Sequence, residues 1–196
     1  MITPKRYWYL RHGETDWNKQ GLSQGRTDIP LNQTGLEQAR KAGQVLAQEA
    51  EGPLKITRIV SSPLARALRT AEIAAEALHA QYGARPVLTM DIGLEEVCFG
   101  EQEGRPMGEW YDDWIEGFYT PPGAEPFEFL RDRAVAAVNR ALAGDEAVLI
   151  VAHGALFRAL RSAMRLPANV RLPNATPMVV EPPEADGTPW SLRQVS

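Results

Sequence analysis

Cysteine is nearly absent: Cys98 stands alone among 196 residues. One thiol cannot close an intrachain disulfide, and metal sites built on clustered cysteines are excluded. A lone cysteine is most often a small hydrophobe, and Cys98 is read that way. Histidine is scarce too, with three in the chain (His12, His79 and His153) and no His-x-x-x-His zinc spacing. A metal held by distant His and Asp side chains is left as a minor alternative. No apolar run reaches membrane-spanning length, and none near the start has signal-peptide length, so the expectation is a soluble, cytoplasmic protein without a membrane partner. There is no basic excess: 21 Lys and Arg face 25 Asp and Glu, for a net charge of −4. That balance excludes an overall nucleic-acid footprint but still permits a local arginine cluster to hold a small anion. The Gly-Lys-Ser/Thr ending of a nucleotide P-loop is missing. Low-complexity segments are missing as well.

What is present is a 44% apolar chain, enough for one substantial core, and two parallel-looking signals within it. Tyr7-Trp8-Tyr9-Leu10 runs into Arg11-His12-Gly13, and the apolar run 147–152 ends in His153-Gly154. Both runs read as strands buried on both faces of a parallel sheet. In open α/β sheets the loops at the strands' carboxyl ends are where ligands bind. Two of three histidines therefore occupy the same kind of ligand-facing position.

The remaining pattern alternates strand and helix. Residues 5–10 read as the first strand and 11–29 as a long loop. Thr34 and Glu37 read as a capping box opening a helix that runs to Ala50, with Leu36, Ala39, Gly43, Leu46 and Ala50 inward and Gly52-Pro53 as its stop. A strand at 56–61 leads into Ser62-Pro63, read as cap and first turn of a helix buried through Leu64, Leu68, Ala71, Ala75 and Leu78. Arg66 falls off that face and into the first turn, where the helix dipole disfavours a cation unless an anion binds beside it. His79, at the other end of this helix, reads as a surface residue favoured by the dipole. A third strand at 86–90 precedes an extended stretch in which Glu95 and Glu96 point to opposite faces. Trp110, Trp114 and Phe118 share a helical face, as core packing or as a wall over a site. Pro121-Pro122-Gly123 is a turn, a helix follows at 126–143, and another at 155–164. The tail at 176–182 and 191–195 reads as two edge strands. The whole predicts a three-layer α/β/α architecture with a mostly parallel central sheet, formed by residues 1–196 as a single domain with a small cap region around 100–125.

In such a sheet His12, Arg66 and His153 converge on one edge. Arginine forks match phosphate oxygens, neutral histidine is a nucleophile near pH 7, and Glu95 or Glu96 is available to protonate an alkoxide leaving group. The constellation suits phosphoryl chemistry with side-chain cations instead of a metal.

At this point a resemblance emerges. Leu10-Arg11-His12-Gly13-Glu14-Thr15 with Trp17-Asn18 resembles the signature of the histidine phosphatase superfamily, the phosphoglycerate mutase-like proteins. The likeness continues through Gln24-Gly25, Asp28-x-Pro30-Leu31, Ser61-Ser62-Pro63-Leu64-x-Arg66-Ala67, Leu94-x-Glu96, Glu103-Gly104 and Val151-Ala152-His153-Gly154. It implies a phosphoglycerate mutase-like fold and a phosphoenzyme on His12. Arg11, Arg66 and His153 would hold the phosphoryl oxygens with help from Asn18, and Gln24, Gly25 and Gly154 would complete the binding set. Glu96 would be the acid and then the base. No metal and no cofactor are implied. Two positions depart from the family pattern: Leu22 follows Gly21 where family members often carry Arg, and Gly123-Ala124-Glu125-Pro126 replaces the usual Gly-Gly-Glu-Ser. Both departures touch substrate contacts. The chain resembles the short phosphatase branch, without the longer insertions of the glycolytic mutases.

The expected function is a metal-independent phosphatase of small phosphate monoesters. Cofactor-dependent phosphoglycerate mutase-type transfer is the alternative, and a non-catalytic phosphate-binding module is the reading from another class. The expected partner is a small phosphorylated metabolite, with a homodimer as the one protein assembly entertained.

Overall fold

The computed structural model describes residues 1–50, 55–185 and 188–196, so the Gly52-Pro53 stop lies outside the described residues. Six strands form one sheet in the order β3-β2-β4-β1-β5-β6. They are β1 (Tyr7–Arg11), β2 (Arg58–Ser61), β3 (Val87–Met90), β4 (Val148–Ala152), β5 (Pro177–Glu181) and β6 (Ser191–Gln194). The first four pair in parallel and β5 and β6 add antiparallel, giving the mostly parallel sheet expected. The tail strands are not both edges, because β5 lies between β1 and β6.

Strand alternation divides the interior into two cores. On one face Trp8, Leu10, Ile59, Leu149 and Val151 pack under α2 (Gln33–Glu49) and α3 (Ala65–Tyr82). On the other, Tyr7, Tyr9, Val60, Ile150 and Ala152 pack under α5 (Phe127–Ala141) and α6 (Gly154–Ala163). This is the three-layer α/β/α arrangement. Strands buried on both faces need continuous apolar runs, and β1 and β4 have them.

Local chemistry moves several boundaries. The 11–29 loop contains a short helix, α1 (Asp16–Gln20), capped reciprocally by Thr15 and Asn18. Helix α2 begins at Gln33 because Asn32, not Thr34, caps it: the Asn32 side-chain oxygen accepts from Gly35 N. Helix α3 begins after Leu64, so Ser62-Pro63 lies outside it. The Asp28 carboxylate, from a distant loop, accepts from Ala65 N at 2.8 Å and supplies the missing cap. The stretch 91–102 is not a strand but two 3-10 turns joined by extended chain. Helix α4 (Trp110–Glu116) buries Tyr111 and Trp114. Phe118 falls beyond its end and is 80% exposed, so the Trp110–Trp114–Phe118 face is not continued. Trp114 packs edge-on to Phe99 and Phe127 in the core. Among the described residues no helix is long and apolar enough to cross a membrane.

Candidate active site

The parallel register of β1 and β4 pairs Leu10 with Val151 and Arg11 with Ala152. His12 and His153 therefore leave the sheet side by side, with ring centroids 5.3 Å apart. The twin strand-His-Gly signals are thus one spatial feature.

His12 is buried, and its Nδ1 lies 2.7 Å from the Gly13 carbonyl oxygen. A carbonyl can only accept, so Nδ1–H donates and Nε2 carries the lone pair. Burial, then the charges of Arg66 and Arg11, hold the imidazole pKa well below its ordinary value, so the ring stays neutral. His153 is fully buried, with Nε2 2.7 Å from Ser62 Oγ. Burial, then Arg66, His12, Arg11 and Arg133, depress its pKa likewise. Tyr9 Oη locks the His153 backbone, donating to its carbonyl at 2.8 Å and accepting from its N–H at 3.1 Å.

The cations come from two directions. Arg11, at the end of β1, donates to the Leu172 carbonyl at 2.6 Å. Burial lowers its pKa to about 10, with Glu96 opposing and Arg171 and Arg158 adding to the fall. It remains charged at neutral pH. Arg66, expected off the buried face of α3, is completely buried instead, because the loop after α1 closes over it. Its guanidinium donates to Gly25 O at 2.6 Å and Thr27 O at 3.0 Å. That loop is pinned by Glu103, whose carboxylate accepts from Arg26 N and Thr27 N, each at 3.0 Å, and from Phe99 N at 3.1 Å. Gly25 has φ +54°, and a Cβ there would overlap the Glu103 carboxylate, so the loop requires glycine.

Two amides are oriented by their neighbours. Asn174 and Thr15 donate to the Asn18 side-chain oxygen at 3.0 and 3.2 Å. Thr15 Oγ1 donates to the Gln24 side-chain oxygen at 2.6 Å. With both oxygens engaged, both NH₂ groups are the donors presented to the cavity. Gly154 opens α6 beside Arg11, where a Cβ would come within 3.2 Å of the guanidinium.

Glu96 and Glu95 separate as alternation predicts. Glu95 faces Arg26, 3.6 Å away. Glu96 is buried, and its carboxylate accepts from Ala155 N and Leu156 N at 3.0 Å each and from Val97 N at 3.1 Å. The first turn of α6 thereby fixes the carboxylate in the cavity that His12 also lines.

Arg11, His12, Asn18, Gln24, Gly25, Arg66, Glu96 and Gly154 all line one cavity of about 370 Å³, and His153 lies behind it. Met107, Tyr111 and Asp112 add a wall from the 100–125 segment. Ser62, Asn174, Glu103, Asp28 and Arg133 escaped the reading of the sequence as support for this site. Asp28, Ser62 and Glu103 stand within the family-like motif, which was the signal available for them; Asn174 and Arg133 had none. Among the described residues, no cluster of three His, Cys, Asp or Glu side chains is placed to hold a metal ion. A neutral imidazole, two guanidiniums, two amide donors and a carboxylate around one cavity can bind a phosphate, displace its ester oxygen and move a proton.

The model of the histidine phosphatase superfamily (branch 1) matches residues 7–186. The chain is 44% identical over 154 residues to the uncharacterized phosphatase PhoE of Bacillus subtilis, covering 77% of this chain and 72% of the relative. It is 34% identical over 173 residues to the probable phosphoglycerate mutase GpmB of Salmonella choleraesuis, covering 82% and 75%. The structure of mycobacterial glucosyl-3-phosphoglycerate phosphatase in complex with VO3 superposes with a TM-score of 0.77 at 28% identity over 97% of both chains. The protein TTHB049 of Thermus thermophilus gives a TM-score of 0.72 at 26% identity over 98% of this chain and 99% of its own. The chain belongs to the histidine phosphatase superfamily, branch 1, and its chemistry is phosphate-ester hydrolysis or phosphoryl transfer.

Proposed function

We propose that the protein is a metal-independent phosphatase of small phosphate monoesters, working through a phosphohistidine on His12. The observation that carries this reading is the His12 tautomer: Nδ1–H is tied to the Gly13 carbonyl, so the lone pair of Nε2 is available as nucleophile. Nε2 attacks phosphorus, the ester P–O bond breaks, and Glu96 gives its proton to the leaving oxygen. The same carboxylate then takes a proton from water, whose oxygen attacks phosphorus. The N–P bond breaks and inorganic phosphate leaves. Arg11 and Arg66 neutralise the equatorial oxygens and supply the charge that a metal would otherwise bring, while the Asn18 and Gln24 amides orient them, with His153 behind. The 100–125 segment acts as a cap, since Met107, Tyr111 and Asp112 wall the outer cavity.

Acid quench during turnover of ³²P-labelled monoester should give acid-labile, base-stable protein label, undiminished after exhaustive chelation and absent from His12→Ala. Label persisting in that variant, or lost on chelation and restored by magnesium or zinc, overturns the assignment. The likeness to a probable phosphoglycerate mutase supports a second reading, transfer between two hydroxyls of one substrate. Conversion of 3-phosphoglycerate to 2-phosphoglycerate without phosphate release, given a trace of bisphosphate, would establish it.

A further inference from the structure

The loop that carries His12 is held by three separate parts of the chain. From α3, the Thr70 hydroxyl accepts from Gly13 N at 3.1 Å. From α2, the Gln38 side-chain oxygen accepts from Glu14 N at 2.8 Å. Both of these fix N–H groups. The carbonyls are held from 162 positions along the chain, by Asn174 and Ala175 in the turn that leads into β5. Ala175 N donates to Arg11 O at 3.0 Å and to His12 O at 3.2 Å. The Asn174 side-chain nitrogen donates to His12 O at 3.1 Å, to Gly13 O at 3.3 Å and to Asn18 Oδ1 at 3.0 Å.

The orientation of the Asn174 amide is forced. His12 O and Gly13 O are carbonyls and can only accept, so the NH₂ group must face them. Its two protons then serve three acceptors, one on Asn18 and one shared by the two carbonyls. Gly13 O is also the atom that meets His12 Nδ1 at 2.7 Å. That bond decides which ring nitrogen carries the proton, and so where the lone pair lies. Asn174 is thus one hydrogen bond removed from the tautomer of His12. The backbone beside it is strained: Ala175 has φ +47°, a left-handed conformation that an L side chain adopts at a cost. Such strain persists where surrounding contacts enforce it, and it clusters where geometry serves function. Here the enforced turn sets the Ala175 N–H and the Asn174 amide on successive carbonyls of one loop.

We infer that Asn174 is a positioning residue for the phosphoryl-transfer step: it holds the Gly13 carbonyl on which the His12 ring rests, and the same NH₂ group turns the Asn18 amide toward the cavity. Asn174 does not itself line the cavity and acts through His12 and Asn18. The inference rests on the phosphatase reading in taking His12 as the nucleophile, but the tautomer that Asn174 sets is measurable without turnover.

Two variants separate the donor from the shape of the side chain. Asn174→Leu removes the NH₂ group. Asn174→Asp keeps the outline and the polarity but offers only acceptor oxygens to the two carbonyls. Long-range ¹H–¹⁵N correlation spectra of protein labelled with ¹⁵N-histidine report which ring nitrogen carries the proton. With three histidines in the chain, His12→Gln, His79→Gln and His153→Gln assign the signals. Wild-type His12 should show a protonated Nδ1 and a lone pair on Nε2 at neutral pH. In both Asn174 variants the Nε2 signal should move toward the protonated position. In both, kcat for p-nitrophenyl phosphate should fall on the order of 10²-fold, the scale of a misplaced reacting group, with KM changing less. If Asn174→Leu does not fold, Asn174→Asp decides. His12 signals that match the wild type in a folded variant overturn the inference, whatever the rate does. A shifted tautomer with undiminished hydrolysis upholds Asn174 as the residue that sets the ring and counts instead against His12 as the nucleophile.

Discussion

Glu95 and Glu96 are adjacent, alike in chemistry, and separated only by which way the extended chain turns them. Glu96 sits on the first N–H groups of α6 beside His12, and Glu95 sits against Arg26. Glu96 lines the cavity that His12 also lines and Glu95 does not, so Glu96 is the proposed proton donor. Loss of a general acid typically costs about 10²–10⁴-fold. Glu96→Gln should therefore lower kcat/KM within that range for alkyl phosphates, whose alkoxides leave poorly. The loss should be smaller for p-nitrophenyl phosphate, whose phenolate needs little help. With that activated ester the variant should accumulate phosphoenzyme, because water activation in the second step fails. Glu95→Gln should stay near wild type on both esters. The opposite pattern in a side-by-side kinetic comparison moves the acid by one residue.

At the level of elements, the sequence was legible where a local pattern had one cause. Apolar runs ending in His-Gly located β1, β4 and both histidines, and helical spacing found α5 with Leu130, Ala134, Ala137 and Ala141 inward. It was illegible where the cause lay far along the chain. Nothing near Ser62 announces that its hydroxyl meets His153, ninety-one positions away, or that Asp28 caps α3 in its place. Arg133 is the strongest such case. It looks like a solvated arginine on a helix, yet it forms a two-point pair with Glu125 at 2.6 and 2.8 Å. It also donates to the carbonyls of Gly93, Glu95 and Glu96 at 3.0, 2.6 and 3.1 Å. One side chain on α5 thus holds the segment that presents Glu96. Each buried acceptor left unpaired costs about 1–3 kcal/mol. Arg133→Met should lower stability by on the order of 3 kcal/mol, or roughly 6–12 °C in Tm for a chain of this size. It should also depress kcat for alkyl phosphates more than for p-nitrophenyl phosphate. Thermal unfolding and the same pair of esters test this. A loss of stability with no dependence on the leaving group would leave Arg133 structural only.

For the whole molecule, the site imposes a cost that pH exposes. The chain is net acidic, with a formal charge of −4, yet it folds two neutral histidines into an arginine cluster. Both imidazoles titrate far below their ordinary value of 6.5 when folded, and near it when unfolded. Below about pH 6.5 the unfolded chain therefore binds protons that the native protein refuses. Their contribution is fully present above 6.5 and is lost as pH falls toward the folded values, with a slope approaching about 1.4 kcal/mol per pH unit for each ring. Asp91, whose carboxyl is held below its ordinary 3.8 by the Arg140 hydrogen bond, acts in the same direction only in a more acidic window. The two effects separate on a pH axis. Urea midpoints for the wild-type protein should be level from pH 8 to 7 and decline steadily from 6.5 to 5. In His12→Gln combined with His153→Gln, which keeps polar side chains in both places but removes the titration, the decline over that interval should be much shallower. A wild-type midpoint that stays flat to pH 5, or a double variant that declines in parallel with it, would show that the histidine pair is not what ties stability to pH.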